Sequence, residues 1–240
     1  GKAVYLYGEG WNFGEVANGA RGVNATQLNM AGTGIGTFTD RLRDRVRGGG
    51  PFSPRPEQGF ATGLALDPNA SASGTPEAQK ALLLAFSDLV RLGLAGNLAD
   101  YALVAADGTV KQGRQLDYNG QPAGYALRPD DVVNYISAHD NETWFDALQV
   151  KLPAPANLAD RVRTANLGTS VVALAQGIPF FLAGDELLRS KSGDKNSYDS
   201  GDWFNRLDFL GLTNAWGSGL PPASSGNQPD WPLLAPLLAR

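Results

Sequence analysis

Glu9 and Asp140 are the carboxylates of this chain whose settings best suit acid–base chemistry. Glu9 stands in Tyr5-Leu6-Tyr7-Gly8-Glu9-Gly10-Trp11, and Asp140 in Tyr135-Ile136-Ser137-Ala138-His139-Asp140-Asn141. Each follows a short apolar run, so each is expected at the C-terminal end of a strand, where parallel α/β folds place their reactive groups. Hydrolysis of a glycoside needs one carboxylic acid to protonate the leaving oxygen and further carboxylates to stabilise the positive charge building on the sugar ring. Two acidic side chains from different strand ends, with the Trp11 ring beside one of them, have that composition. The spacing fits two solvated loop charges or helix N-caps equally well.

The remaining candidates narrow the chemistry. His139 is the only histidine and cysteine is absent, which excludes a multi-histidine metal site, thiolate ligands and disulfides. No Gly-x-Ser-x-Gly elbow accompanies His139 to suggest a serine hydrolase. Gly32-Thr33-Gly34-Ile35-Gly36 lacks the dinucleotide spacing, and no Gly-Lys-Ser/Thr step is present, so it reads as a plain loop. Arg41, Arg43, Arg45 and Arg47 are interleaved with Asp40 and Asp44, a pattern of local ion pairing rather than of a nucleic-acid surface. Asp194, Asn196, Asp199 and Asp202 make an oxygen-rich stretch, without the spacing or closing glutamate of an EF-hand. Tyr198, Trp203 and Phe204 lie in the same stretch, and rings beside amides and carboxylates suit a pyranose. A plain surface loop is the alternative there.

The elements that must position these residues are legible in outline. Residues 3–7 are predicted as a buried strand, punctuated by Gly8 and Gly10. Thr75-Pro76 opens a helix, with Leu82, Leu83, Phe86, Leu89 and Val90 on one face and Gly93 and Gly96 at its end. Residues 107–128 read as loop, residues 131–137 as a second strand ending at His139. A second helix is capped near Asn157 and runs through Val162, Val171, Val172 and Leu174 towards Gly177. Residues 178–183 form a third strand, with Pro179 confined to its first residues because it cannot donate to a ladder. Residues 36–47 offer one further strand, and the tail from Gly211 onward reads as surface wrapping. Strands followed by helices at this spacing predict βαβ units and a parallel sheet, with polar residues just past each strand end.

Composition bounds the partners. The 240 residues suffice for one large domain or two small ones, and 20 Lys and Arg against 24 Asp and Glu leave a net charge of −4. That balance argues against nucleic acid or an anionic membrane as partner. No apolar run approaches the ~20 residues of a membrane span.

Four segments together resemble one family. Tyr-Leu-Tyr-Gly-Glu-Gly-Trp, Tyr-Ile-Ser-Ala-His-Asp-Asn-Glu-Thr, Gly-Ile-Pro-Phe-Phe-Leu-Ala-Gly-Asp-Glu and Asn-Ser-Tyr-Asp-Ser-Gly-Asp-Trp-Phe-Asn resemble signatures of the pullulanases and limit dextrinases. These are α-1,6-debranching members of the α-amylase clan, glycoside hydrolase family 13. Residues 34–44 also resemble that subgroup's region around the sixth barrel strand. The resemblance implies a (β/α)8 TIM barrel and hydrolysis of α-1,6 linkages in pullulan, amylopectin or limit dextrins with retention. It implies Glu9 as general acid/base, Asp140 as transition-state stabiliser, His139 and Trp11 as substrate ligands, and Asn196 and Tyr198 at the same subsite. The substrate partner is an α-glucan; no cofactor is implied, with calcium in the parent enzyme left open. The family's nucleophile, an Asp in a Gly-Phe-Arg-Phe-Asp-like motif at strand four, has no counterpart here. The chain is therefore expected to hold strands five to eight, with the upstream half-barrel and the closing β-sandwich outside residues 1–240. An isoamylase or glycogen-debranching relative, or a non-catalytic sugar- or partner-binding barrel of the clan, are the rival expectations.

Overall fold

The structure, a computed structural model, describes residues 4–197 and 205–216. In chain order its elements are β1 (Leu6–Gly8), α1 (Gln27–Met30), β2 (Ile35–Phe38), α2 (Asp40–Arg47), α3 (Pro76–Leu94), β3 (Ala102–Val104), β4 (Val110–Gln112), β5 (Asp117–Tyr118), β6 (Gln121–Pro122), β7 (Val132–Asn134), α4 (Trp144–Lys151), α5 (Leu158–Leu174) and β8 (Ile178–Pro179). The chain divides into two compact units, residues 1–45, 81–135 and 171–180, and residues 46–80, 136–170 and 181–240.

The first unit is built on a parallel sheet in the order β1-β2-β7-β8. Leu6 pairs with Ile35, Phe38 with Val133, and Val133 with Ile178. Pro179 sits at the second position of β8, and the ladder continues where Phe180 donates its N–H to the Asn134 carbonyl at 2.8 Å. Rings cover the sheet in an unbroken series: Tyr5 stacks on Tyr7, Tyr7 meets Phe38 edge-on, and Phe38 meets both Tyr135 and Phe180 at 5.0 Å. Edge-to-face rings at that separation are favourable beyond their buried area. A second cluster gathers Leu89 and Leu92 of α3 with Leu103, Ala105, Leu116, Tyr118 and Ala123.

Three expectations need correction here. The first strand is not buried: Val4, Leu6 and Tyr7 are 79%, 57% and 51% exposed, because β1 is an outer strand of the sheet. Residues 36–47 are a short strand followed by a helix, so the alternating arginines project around α2 instead of along one strand face. Local pairing holds for two of the four, Arg41 and Arg43, while Arg45 reaches Asn119 and Arg47 reaches Glu142. Arg41 pairs with Asp40 at 2.6 Å and lies over the Tyr118 and Tyr125 rings, while Arg43 pairs with Asp44 at 2.7 Å. Residues 107–128 are not all loop either, since they supply β4, paired with β3, and the β5–β6 hairpin.

The second unit contains α4, an element the sequence pattern did not reveal. Thr143 caps it, its hydroxyl accepting the Asp146 N–H at 3.1 Å. The buried Trp144 indole donates to the Ala165 carbonyl of α5 at 3.0 Å. Gly168 lies directly against that ring, where an added Cβ would come within 2.6 Å of it. Asn157 caps α5 as expected, accepting the Asp160 N–H at 2.9 Å. Among the described residues no helix is long and apolar enough to cross a membrane.

Candidate active site

Parallel pairing sends the C-terminal ends of all four sheet strands the same way, and the chain leaves those ends carrying its reactive side chains. Glu9 follows β1 immediately and is exposed. The turn that presents it needs Gly10, whose φ is +72° and whose missing Cβ would fall 2.7 Å from the Thr37 methyl group. Trp11 is half-buried, and its ring centroid lies 6.0 Å from the Arg43 guanidinium. Arg43 is buried; desolvation alone would lower its pKa, but Asp44, Tyr135 and Asp40 outweigh that and hold it above the ordinary value. A fixed cation thus braces the ring beside Glu9.

In the second unit, the segment after β7 carries His139 and Asp140, both exposed, with Nε2 and Oδ1 3.6 Å apart. Behind these two side chains the surroundings are closed. Glu142 pairs with Arg55 at 2.8 Å and Arg47 at 3.8 Å, and Arg47 also donates to the Ile136 carbonyl at 2.7 Å. Burial pushes the Glu142 pKa up, yet Arg47 and Arg55 dominate and hold it below the usual range. Asp146 is fully buried; desolvation raises its pKa against hydrogen bonds from Ser190 Oγ and from the Lys191 N–H at 2.7 Å. Asp185, following β8, accepts from Ser137 Oγ at 2.7 Å and is pushed by burial to a pKa of about 6. Asn196 is exposed, its N–H donating to Asp194 Oδ1 at 2.6 Å. Tyr198 lies outside the described residues, as do Asp199, Asp202, Trp203 and Phe204.

No family model matches the chain. It is, however, 51% identical over 239 residues to the chloroplastic pullulanase 1 of Arabidopsis thaliana and 48% identical over 225 residues to the pullulanase of Klebsiella pneumoniae. Along nearly its whole length the chain is similar to pullulanases. It spans about a quarter of the plant pullulanase, 25% of its length, and 20% of the bacterial one, with 99% and 92% of its own residues aligned. Solved pullulanases share the fold: the PulA structure from Klebsiella oxytoca superposes over 98% of this chain with a TM-score of 0.88 at 45% identity. The maltotriose complex of PulA from Klebsiella pneumoniae superposes over 86% with a TM-score of 0.80 at 48% identity.

Beyond the residues that motif spacing singles out, the pullulanase fold adds Arg47, Arg55, Glu142, Asp146 and Lys191 around the His139–Asp140 segment. The sequence carried one usable signal for them, the Thr143-x-x-Asp146 capping pattern that opens α4. The buried pairings join residues far apart in the chain, and no local pattern marks those.

Proposed function

We propose that the protein containing this sequence hydrolyses α-1,6-glucosidic branch linkages in pullulan, amylopectin or limit dextrins by a retaining double displacement. In this reading the chain contributes strands five to eight of a (β/α)8 barrel, residues 1–240 being part of one catalytic domain. The observation that carries it is the parallel sheet whose C-terminal ends run into Glu9 and into the His139–Asp140 segment, in a chain of pullulanase sequence. Glu9 protonates the departing glycosidic oxygen and then, as a carboxylate, deprotonates the attacking water. Asp140 stabilises the oxocarbenium-like charge on the ring, and His139 hydrogen-bonds the same sugar. Trp11, backed by Arg43, offers a rigid face for stacking, and Asn196 and Tyr198 complete the subsite. The nucleophilic carboxylate, which a retaining mechanism requires roughly 5–5.5 Å from the acid, comes from outside these residues. The proposed reaction draws on side chains alone, without a cofactor.

The test is made in the full-length enzyme with pullulan as substrate. Glu9→Gln is expected to lower kcat ~10²–10⁴-fold, the usual worth of a positioned acid–base group, while maltotriose binding persists. Asp140→Asn is expected to lower kcat by roughly 10²–10³-fold, as loss of a charge-stabilising group does. Near-normal turnover in either variant overturns that residue's role.

A further inference from the structure

We propose that Lys191 is a positioning residue for Asp140, holding the peptide that joins His139 to Asp140 through its buried ammonium. This rests on the functional reading above, and concerns a residue that reading leaves out.

Lys191 is 2% exposed, and its Nζ donates to the His139 carbonyl at 3.1 Å. Burying an ammonium is costly unless it is paired and hydrogen-bonded. A lysine that merely filled space would be better replaced by methionine or leucine. Burial lowers the Lys191 pKa, while the Asp146 and Asp194 carboxylates favour its charged form. The acceptor it reaches is the carbonyl one bond away from the Asp140 nitrogen. Rotating that peptide plane swings the Asp140 side chain, so the hydrogen bond sets where the carboxylate points.

The rest of the segment is arranged to let that one bond decide. Downstream, Asn141 has φ +61°, a left-handed turn that asparagine tolerates better than most residues. Glu142 is pinned by Arg55, and the first turn of α4 is tied by Asp146 to Ser190 and to the Lys191 backbone. Lys191 is therefore fixed at its backbone by the same helix that the His139–Asp140 segment enters. Its side chain returns to the segment's exposed end. The side chains of His139 and Asp140 themselves face outward and are exposed.

The experiment compares wild type, Lys191→Met, Asp140→Asn and the double variant in the full-length enzyme, reading kcat and KM on pullulan and the far-UV circular dichroism of each. Lys191→Met is expected to fold, to lose roughly 10- to 100-fold in kcat, as a misplacement of about 1 Å does, and to keep KM within about twofold. In the Asp140→Asn background the same change is expected to have little further effect, because a lysine that acts through Asp140 has nothing left to position. An equal loss in both backgrounds, or wild-type kcat in folded Lys191→Met, overturns the proposal. If Lys191→Met does not fold, Lys191→Gln, which keeps an N–H donor, takes its place with a smaller expected loss. Failure of both to fold assigns the lysine to stability alone and likewise overturns it. Full activity in Asp140→Asn removes the functional reading itself, whereas loss there with an unaffected Lys191→Met removes only the lysine's role.

Discussion

Asp185 shows what a single half-buried carboxyl does to stability. Its ordinary pKa is 3.8, and in the folded chain burial raises it to about 6, the Ser137 hydroxyl and Arg47 opposing only part of that rise. A folded-state pKa above the unfolded value means the folded form keeps a proton that the unfolded chain has lost. The contribution to stability is complete below pH 3.8 and is lost as pH climbs through about 6. At ~1.4 kcal/mol per pKa unit the loss amounts to at most ~3 kcal/mol. Asp185→Asn, which keeps an acceptor for Ser137, is expected to remove this dependence. Urea midpoints measured from pH 4 to pH 8 should fall for the wild type relative to the variant, and parallel curves would contradict the assignment. Glu9 is different in kind: it is exposed and supported mainly by its turn, so its substitution is expected to cost turnover and leave stability nearly unchanged. Thermal melts of Glu9→Gln within a degree or two of wild type would bear that out.

At the level of elements, α4 and α5 are joined by Arg161 donating to the Leu148 carbonyl at 2.9 Å and by a close approach at Trp144 that Gly168 permits. Gly168→Ala places a methyl group against the Trp144 indole and is expected to destabilise by about 1–3 kcal/mol, the usual penalty of overpacking. Chemical denaturation reads this directly, and a neutral result would mean the helices slide apart freely. The elements that strong local signals specify were legible in the sequence: α3 from Thr75-Pro76 and α5 from Asn157, whereas β8 starts where its apolar run places it but covers only Ile178–Pro179 of the expected residues 178–183. The strands β1 and β7 were legible in place but not in extent, because ladder pairing ends them after three residues. α4 escaped notice because it is buried on every side, its polar Asp146, Gln149 and Lys151 included, so polar and apolar positions do not sort into an exposed and a buried face. The alternating arginines of α2 already sat poorly with a strand over residues 36–47, but nothing local marks them as helical, and their ring partners Tyr118, Tyr125 and Tyr135 lie some 75–95 residues on. Of the residues proposed for the site, Glu9, Trp11, His139 and Asp140 stand in motifs that the sequence displays. Lys191 does not, since its acceptor is a main-chain carbonyl that carries no residue identity.

For the molecule as a whole, the proposed mechanism makes one demand, a carboxylate nucleophile facing Glu9, and the proposal places that group outside residues 1–240. The 240-residue chain by itself is therefore expected to show no hydrolysis of pullulan, and reducing-sugar release above a Glu9→Gln control would contradict this. β1 and β8 are the outer strands of the sheet, and β1 displays Leu6 and Tyr7 to solvent. Unsatisfied main-chain donors and acceptors alongside apolar side chains form a template for another chain to dock on. In solution that surface governs colloidal behaviour: the apparent mass that light scattering gives for the isolated chain should grow with concentration, and a constant monomer mass would contradict this.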